Sequence, residues 1–521
     1  MANLGSITAL KDNSIDTSVT TNGAGQNTGA RVNVCLNDIV DTLTGSPVVS
    51  TGVSNPASIF ASAVQGLLAE TAIQPNEILP VATEGVLTGN IVWVDAVNGD
   101  DDEAVVGRQD LPFLTLTAAK EAAAVGYTIH VRPGTYDEKN LLKNGVNWYF
   151  EPGAIVEYTR ATDGSIFDDS ADGTNTAVSC VIDGEGVFTW TNNYKAATQD
   201  YAVVHITNPA SVVVINGRSI NQLGDNFQFG WSVLQEDGLL TINLSEKMNS
   251  PNGAYHMGWT GGTGYFNFPE YYGSQVTWAG TSVGGNWYIN CEAMTLTATD
   301  IGIYAESIDT VGALWIEAKL ISGSFTHALM SGQSGKVYVT AQKIWQQAGA
   351  GGGPVINPSG GKWWIATQKM TSATGRFFTC EGGSATVNLD VQEYENELVG
   401  EETNNQWGFF NEGANLTIHG GILTVSNPGE TYVGITHVDG VTRAKGFVID
   451  LSGNDRATSY PVNLNGAGLV LDNCTLVAPS GTDSISALAA QTVVSYGSYA
   501  NTAVDGNVTV SGLLTVGAYV A

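Results

Sequence analysis

Short apolar segments that each follow a glycine recur along most of the chain. Examples are GNWYINCEAM, GALWIEAKLI, GKVYVTAQKI and GKWWIATQKM. The glycines of this series lie between 21 and 33 residues apart, at Gly264, Gly285, Gly312, Gly335, Gly361, Gly383, Gly413, Gly446 and Gly468. A repeat of roughly 20–30 residues with a short strand in each unit predicts a β-solenoid, in which every strand stacks on its counterpart in the next unit. The uneven spacing argues against leucine-rich and propeller repeats.

Four of these repeats align well enough to assign the two faces of their strands. Side chains alternate between faces along a strand, so one column should face the core and the preceding column should face outward. The expected core column is Ile289, Ile316, Val339 and Ile365. The expected outward column, called the aromatic ladder below, contains Tyr288, Trp315, Tyr338 and Trp364. Its rings should lie about 4.8 Å apart from one rung to the next.

Three interpretations of the aromatic ladder are open. An apolar strip of this kind is rarely left exposed, so it could lie at a trimer interface or under a long loop. It could instead form a platform for sugar rings. In the third interpretation the facing is reversed and the ladder belongs to the core. The first interpretation is the best supported of the three.

Charge and composition exclude several classes of partner. The 521-residue chain has a net charge of −30 and only 20 Lys and Arg residues, so nucleic-acid backbones and anionic lipid surfaces would be repelled. Strongly anionic polysaccharides are disfavoured for the same reason. No apolar run approaches the length of a membrane-spanning helix, and the first ten residues lack the features of a secretory signal. The five separated cysteines are expected to be reduced and buried, which is consistent with folding in a cytosol.

The first 85 residues differ from the repeats. Apolar residues at helical spacing predict a helix over residues 31–43, and Asn55-Pro56 resembles the start of a second helix that continues to about Glu70. Polar segments rich in Gly, Thr and Asn surround both helices, so this region offers little apolar surface for a core of its own. We therefore expect residues 1–85 to fold against a partner or against copies of themselves.

The stretch from residue 91 to residue 158 resembles the opening of pectin-lyase-like β-helix proteins. It has a strand (IVWV), an acidic NGDDDE loop, LPFLTLTAAKEAAA with a short helix over about 116–125, then TIHVRPGTY and PGA. The segment NTGARVN…LNDIVD, residues 27–41, and the alternating tail GNVTVSGLLTVGAYVA resemble the ends of bacteriophage tailspike and tail-fibre proteins. This resemblance implies a mainly β chain built as a right-handed parallel β-helix over residues 86–490. A helical attachment and trimerisation region would precede it at 1–85, and a β-rich trimerisation tail would follow at 491–521.

The same resemblance implies a homotrimer on the virion surface, as a tail or capsid appendage made in the host cytoplasm. Residues 1–85 would bind other virion proteins, and the β-helix would project toward a glycan of the host surface. Membrane insertion, nucleic-acid binding and a cofactor are not expected. Pectate-lyase residues cannot be carried over, because eliminative chemistry needs basic residues or Ca²⁺, and arginine is scarce beyond residue 160.

Carboxylate pairs are the candidates for glycoside hydrolysis, which requires two carboxyl groups about 5–9.5 Å apart. The weak catalytic candidates are Asp183, Glu185, Glu393 and Glu395. Glu236 with Asp237, and Glu397 after Glu395, are further acidic pairs. Solvated surface carboxylates are the simpler interpretation of each pair, since the chain has 50 acidic residues.

Metal-binding and nucleophile motifs are not evident. The six histidines stand apart without paired ligand spacing. In the NGDDDE loop, Asp100 and Asp102 are weak candidates for Ca²⁺ ligands, although the loop lacks calcium-loop spacing.

Two classes of function remain open on the sequence. The first is a spike that recognises host polysaccharide, with or without cleaving it as a glycoside hydrolase. The second is a non-enzymatic head or tail fibre or decoration protein without a glycan role. A secreted bacterial polysaccharide enzyme is a more distant alternative.

Overall fold

A computed structural model describes residues 90–160, 164–170, 176–192, 202–223, 231–250, 257–259, 261–273, 275–278, 285–297, 301–305, 312–347, 353–397, 406–425, 431–454 and 458–517. The predicted attachment region 1–85, with both of its predicted helices, lies outside these residues. The described part of the chain is almost entirely β-strand, and the predicted parallel β-helix is confirmed.

The first strands alternate with one short helix. They are β1 (Ile91–Val94), α1 (Leu116–Ala122), β2 (Thr128–Val131), β3 (Gly134–Asp137), β4 (Asn147–Phe150), β5 (Ala154–Arg160), β6 (Phe167–Asp168), β7 (Ser179–Gly184), β8 (Val187–Asn192) and β9 (Ala202–Ile206).

Long and short strands then alternate through the middle of the chain. They are β10 (Val212–Leu223), β11 (Trp231–Gln235), β12 (Leu239–Ser250), β13 (Met257–Trp259), β14 (Gly262–Gly273), β15 (Val276–Trp278), β16 (Gly285–Leu296), β17 (Ile301–Ala305), β18 (Ala313–Gly323), β19 (Ala328–Gly332), β20 (Lys336–Gln346), β21 (Ile356–Pro358), β22 (Lys362–Ser372), β23 (Phe378–Glu381) and β24 (Thr386–Asn396).

The final strands complete the stack. They are β25 (Gln406–His419), β26 (Ile422–Thr424), β27 (Tyr432–Lys445), β28 (Val448–Asp450), β29 (Tyr460–Leu464), β30 (Leu469–Asp472), β31 (Thr475–Val477), β32 (Ile485–Ala487), β33 (Gln491–Ala500) and β34 (Val508–Val516).

All these strands pair in parallel and form three stacked sheets. The first sheet begins with β1, β2, β4 and β7 and continues through the first halves of the even-numbered strands from β10 to β24. It then contains the second halves of β25 and β27, followed by β30, β33 and β34. The second contains β3, β5, β8 and the second halves of the long strands, and continues through β26, β28 and β31. The third sheet contains β6, β9 and the odd-numbered strands from β11 to β23. It continues through the first halves of β25 and β27 and then through β29 and β32. Each long strand bends between the first two sheets, so one coil has three sides.

The core is the interior of this three-sided tube. In β16 the side chains of Trp287 and Ile289 are buried, whereas Tyr288 between them is only half-buried and Asn290 is exposed. The predicted core column of Ile289, Ile316, Val339 and Ile365 is at most 2% exposed, so its assignment is confirmed. Stacking in exact register places like residues on like residues, and the apolar column therefore continues from coil to coil.

Helix α1 covers the N-terminal end of the tube. Its Leu116 and Ala119 are buried, and it packs on β1 and β2. Both carboxylate oxygens of Glu138 accept hydrogen bonds from the first backbone N–H groups of α1, while the Lys143 ammonium donates to carbonyls at the other end of the helix. These contacts supply partners for the backbone groups that a helix leaves unpaired at its two ends.

The predicted trimerisation tail continues the solenoid in its described part, residues 491–517. Strand β33 stacks on β30 and β31, and β34 stacks on β33, all in parallel register. These strands add two further coils to the same tube. The four described cysteines, Cys180, Cys291, Cys380 and Cys474, are free thiols buried in the coils, as predicted.

Candidate functional site

The aromatic ladder lies on the outer face of the first sheet. Tyr288 pairs in register with Trp315, Trp315 with Tyr338, and Tyr338 with Trp364. All four side chains are half-buried beside a fully buried column, so the interpretation in which they belong to the core is wrong. Partial burial raises the pKa of Tyr288 to about 12, so its hydroxyl stays protonated and can donate a hydrogen bond at neutral pH.

The rings of the ladder stack directly on one another. Ring centroids are 4.5 Å apart for Tyr288 and Trp315, 5.3 Å for Trp315 and Tyr338, and 4.6 Å for Tyr338 and Trp364, with interplanar angles of 8–9°. Tyr265 adds a fifth ring, 4.9 Å from Tyr288. The sequence offered a signal for it, since Gly264-Tyr265 opens one of the glycine-anchored repeats.

This stacking decides which parts of the rings can meet a ligand. Each internal ring has both faces covered by its neighbours, so the ladder presents ring edges and polar tips to the outside. A sugar could stack face to face only at the two ends, on Tyr265 or on Trp364. Next to Trp364 in the column lie Asn388 and Thr417, which are smaller polar residues.

A second group of side chains lies on the outer face of the second sheet, across the bend from the ladder. Lys369 Nζ is 3.0 Å from Glu393 Oε1 and 2.8 Å from Glu395 Oε1. Thr371 Oγ1 donates to Glu395 Oε2 at 3.1 Å. We call this group, together with the Trp345 side chain described next, the lysine–glutamate cluster.

Trp345 brings an indole ring into the lysine–glutamate cluster. The Lys343 ammonium lies 4.7 Å from its ring centroid, a cation–π contact, and the indole N–H donates to Glu397 Oε2 at 2.9 Å. Lys343 and Trp345 follow Tyr338 on β20, and Lys369 follows Trp364 on β22. The outer surface of these two neighbouring strands therefore carries ladder rings on one side of the bend and the cationic and indole groups of the cluster on the other, while β24 supplies Glu393 and Glu395.

The Glu395 carboxylate of this cluster is held in its ionised form. The hydrogen bond from Lys369 lowers the pKa of Glu395, and the hydrogen bond from Thr371 acts in the same direction. A general acid for glycoside hydrolysis needs the opposite shift. The structure thus brings the candidates Glu393 and Glu395 together around one ammonium, where both can accept hydrogen bonds from a hydroxyl-rich ligand.

Asp183 and Glu185 lie elsewhere, at and just after the end of β7. Asp183 Oδ1 accepts a hydrogen bond from Asn216 Nδ2 at 3.2 Å and stands at the head of a row of asparagines. In that row Asn243 donates to Asn216, and Asn267 donates to Asn243, both at 2.8 Å. This pattern is a hydrogen-bonded ladder between coils, and it accounts for Asp183 without catalysis. Glu185 is exposed in the turn before β8.

The acidic loop after β1 uses its carboxylates for turn formation. Asp100 Oδ1 accepts backbone hydrogen bonds from Asp102 and Glu103 at 2.9 and 3.3 Å. Asp95 accepts from Val97 and Asn98, and these bonds with the pairing to Arg132 outweigh burial and bring its pKa to about 2. Within the described ranges no three His, Cys, Asp or Glu residues come together as a metal-binding group.

One buried ionic group was not foreseen from the sequence. His205 on β9 lies between Asp168 of β6, with Nδ1–Oδ2 of 3.6 Å, and Glu236 just after β11, with Nε2–Oε1 of 3.2 Å. Burial lowers the pKa of His205, but the two carboxylates outweigh burial and raise it to about 9. His205 and Asp168 are nearly inaccessible and form a buried ion pair, whereas the Glu236 side chain is 44% exposed; together the three side chains join three coils.

Comparisons of the chain with family models, with curated proteins and with solved structures gave no match. Among the described residues there is no helix with the length and hydropathy to cross a membrane.

Proposed function

We propose that this chain is a subunit of a bacteriophage spike or tail fibre and that it binds polysaccharide of the host surface. Support comes from the outer surface of three neighbouring strands, β20, β22 and β24, where aromatic rings lie across the bend from the lysine–glutamate cluster. Trp364, at the end of the ladder, and Trp345 offer apolar ring surface beside ammonium and carboxylate groups. Sugars combine hydroxyl groups with apolar C–H faces, and this mixture of side chains is suited to both.

The parallel stack fits the role of a rigid rod. Its strands are paired without interruption along the first sheet, and the apolar columns inside it continue from coil to coil. Such a body projects its outer faces along a long axis, where an extended glycan can contact several coils. In this proposal residues 1–85 attach the subunit to other virion proteins, and three copies form the mature appendage.

Binding without cleavage is favoured over hydrolysis. Glu393 and Glu395 share Lys369, which lowers the pKa of Glu395 and removes the proton that a general acid would supply. Asp183 belongs to the asparagine ladder. Three of the four catalytic candidates, Asp183, Glu393 and Glu395, thus have structural partners in the described residues.

A structural fibre without a glycan role is the second candidate, and the stacking of the ladder favours it. Four parallel ring contacts in succession stabilise neighbouring coils, at about 0.5–1.5 kcal/mol per aromatic pair. A ladder with this purpose alone would need no ligand.

Incubation of the purified protein with host capsular or cell-wall polysaccharide, followed by sizing of the sugar, separates these functions. We expect intact polysaccharide that comigrates with the protein. Trp345→Ala and Trp364→Ala should weaken retention by up to about tenfold each, which corresponds to about 1.4 kcal/mol. Trp407→Ala is the matched control, because Trp407 is also an outward tryptophan, covered by Arg376 at 4.8 Å, but lies on the third sheet.

Shortened chains would establish a depolymerase instead. Neither retention nor shortening with any host polysaccharide would overturn the glycan proposal and leave the structural fibre. Equal retention by all three tryptophan variants would place the binding surface away from β20 and β22.

A further inference from the structure

The two ends of the described solenoid differ in how their cores are covered. Helix α1 covers the N-terminal end, whereas β34 forms the last described coil at the other end and pairs only with β33 among the described strands. Val508, Val510 and Leu514 of β34 pack on the core but remain only partly buried. Leu513 is 64% exposed and Val516 is 52% exposed. Within residues 90–517 as described, the last coil thus has an open strand edge above an incompletely covered core.

Open edges of this kind normally carry features that prevent pairing with another chain, such as lysine, proline or a short strand. Strand β34 has nine residues and none of these features. In a chain with a net charge of −30, residues 506–521 contain no charged side chain. Strand β34 itself therefore adds no like-charge repulsion to the approach of a second copy, and the nearest carboxylate before it in the chain is Asp505.

The sequence of β34, VTVSGLLTV, is nearly the same in both directions around Gly512. Val508 corresponds to Val516, Thr509 to Thr515, Val510 to Leu514 and Ser511 to Leu513. Antiparallel pairing of two identical strands about a two-fold axis through Gly512 would place each of these residues opposite its counterpart from the other copy. Three of the four pairs then join like side chains.

The facing of β34 fits the same two-fold axis. Val510 is in register with buried Val493, Gly512 with Ser495, and Leu514 with Ser498. The inward positions, 508 to 516 in steps of two, are therefore symmetric about Gly512. Gly512, with φ of +102°, lies where the strand bends between the first and second sheets. A two-fold axis that bisects this bend places the first half of β34 from one copy against the second half of β34 from the other copy. Residues that face the interior of one tube then lie against residues that face the interior of the other.

Backbone direction is also consistent with this pairing. The Asn507 carbonyl accepts a hydrogen bond from Gln491, and the Gly517 N–H donates to the Ala500 carbonyl, both at 3.0 Å. Residues along a strand direct their backbone groups alternately to either side. The backbone N–H and C=O groups therefore point toward the open edge at residues 508, 510, 514 and 516. The two-fold axis places residue 508 opposite residue 516 of the other copy, and residue 510 opposite residue 514.

We propose that the C-terminal end of the solenoid binds the same end of a second copy, through antiparallel pairing of β34 with β34 about a two-fold axis at Gly512. This contact joins two solenoids end to end and closes both cores. It is two-fold, in contrast to the three-fold packing predicted from the sequence for residues 491–521. It does not depend on glycan binding, and side-by-side association of copies could occur in addition.

Paired charge variants of the full chain test the register. Val508→Lys with Val516→Lys places lysine opposite lysine across the axis, whereas Val508→Lys with Val516→Glu places lysine opposite glutamate in both pairs. By sedimentation equilibrium the lysine–lysine variant should have half the mass of the wild-type assembly, whatever its number of subunits. The lysine–glutamate variant should recover the wild-type mass. Far-UV circular dichroism checks that both variants retain the fold.

Disulfide trapping gives a readout that does not depend on the charge variants. Thr509 and Thr515 are exposed and, in this register, face each other as a pair whose backbones do not bond, with Cα atoms about 4.5 Å apart. In a Cys35→Ser background, Thr509→Cys with Thr515→Cys should form a covalent dimer on oxidation. Thr509→Cys alone is the control and should stay uncrosslinked. In the proposed register its thiol lies opposite Thr515 of the other copy, and the Cys at position 509 of that copy lies on the other side of the bend.

Equal masses for the wild type and both charge variants, together with no crosslink in the double cysteine variant, would overturn the proposal. Crosslinking of the Thr509→Cys control to the same extent as the double variant would overturn the register and the two-fold axis. Retention of a trimer with an unchanged mass in all variants would point to three-fold packing instead.

Discussion

The ion pairs of protonated His205 should stabilise the packing of neighbouring coils in a pH-dependent way. Its pKa is raised from 6.5 to about 9 by Asp168 and Glu236 in spite of burial. Since the folded pKa lies above the unfolded value, the stabilisation is fully present below pH 6.5 and is lost as the pH rises toward 9. At about 1.4 kcal/mol per pKa unit, the shift corresponds to about 3 kcal/mol. The pKa of Asp168 is lowered in the folded state, so the same pair also weakens as the pH falls below about 4.

Replacing His205 alone should lower the free energy of unfolding by an amount similar to the contribution of the ion pair. His205→Gln leaves the Asp168 carboxylate buried without its cation, and we expect a loss of about 3–5 kcal/mol at pH 6. His205→Gln combined with Asp168→Asn removes both charges and should recover part of this loss. The difference in stability between the wild type and the double variant should shrink as the pH is raised from 6 to 9.5, because only the wild type loses the ion pair.

Two measurements check this reasoning. Urea unfolding of the wild type and the variants at both pH values gives the difference in free energy. A ¹³C-histidine titration, with the His205 signal assigned through His205→Gln, gives the pKa directly. A His205 pKa at or below 6.5, or a free-energy difference that does not change with pH, would refute the ion-pair assignment.

Three further changes should act on the stacking of coils, each checked by thermal unfolding. Gly285→Ala should prevent native stacking, because a Cβ there would lie 1.8 Å from a carbonyl oxygen of the preceding coil; Gly506→Ala, with no atom within 4 Å, is the control and should unfold like the wild type. Gln235→Ala should cost about 1–3 kcal/mol, since the buried amide donates to two backbone carbonyls at 2.9 and 3.0 Å and accepts from the Trp287 indole at 2.8 Å. Glu138→Ala should destabilise the protein by about 1 kcal/mol through loss of the α1 cap. An effect no larger than that of the exposed Glu103→Ala control would contradict the capping role.

The repeats allowed the solenoid and its outward ladder to be predicted, because strand alternation is local and the glycines set the alignment. The register of Tyr288 with Trp315 and of Tyr338 with Trp364 follows from that alignment. The alignment could not show that the ring planes would lie parallel in contact. That geometry depends on side-chain torsions and on the close approach of successive coils.

Contacts between residues far apart in the chain could not be predicted. His205 meets Glu236 across 31 residues, and Trp345 meets Glu397 across 52 residues, with loops of unequal length between them. Likewise, the strands after residue 490 have the alternation of an independent tail, and only their pairing with β30 and β31 shows that they continue the tube.

By itself, the sequence determined the period, the inward and outward columns and the parallel class of the fold, because these follow from alternation and glycine spacing within each repeat. Only the tertiary structure decided that Glu393 and Glu395 share Lys369, that His205 lies between two carboxylates, and that β34 pairs with β33 alone among the described strands. Each of these depends on which coil lies above which and on how far each loop displaces the chain. Distances of a few ångströms between side chains are set by that stacking, and no local pattern encodes them.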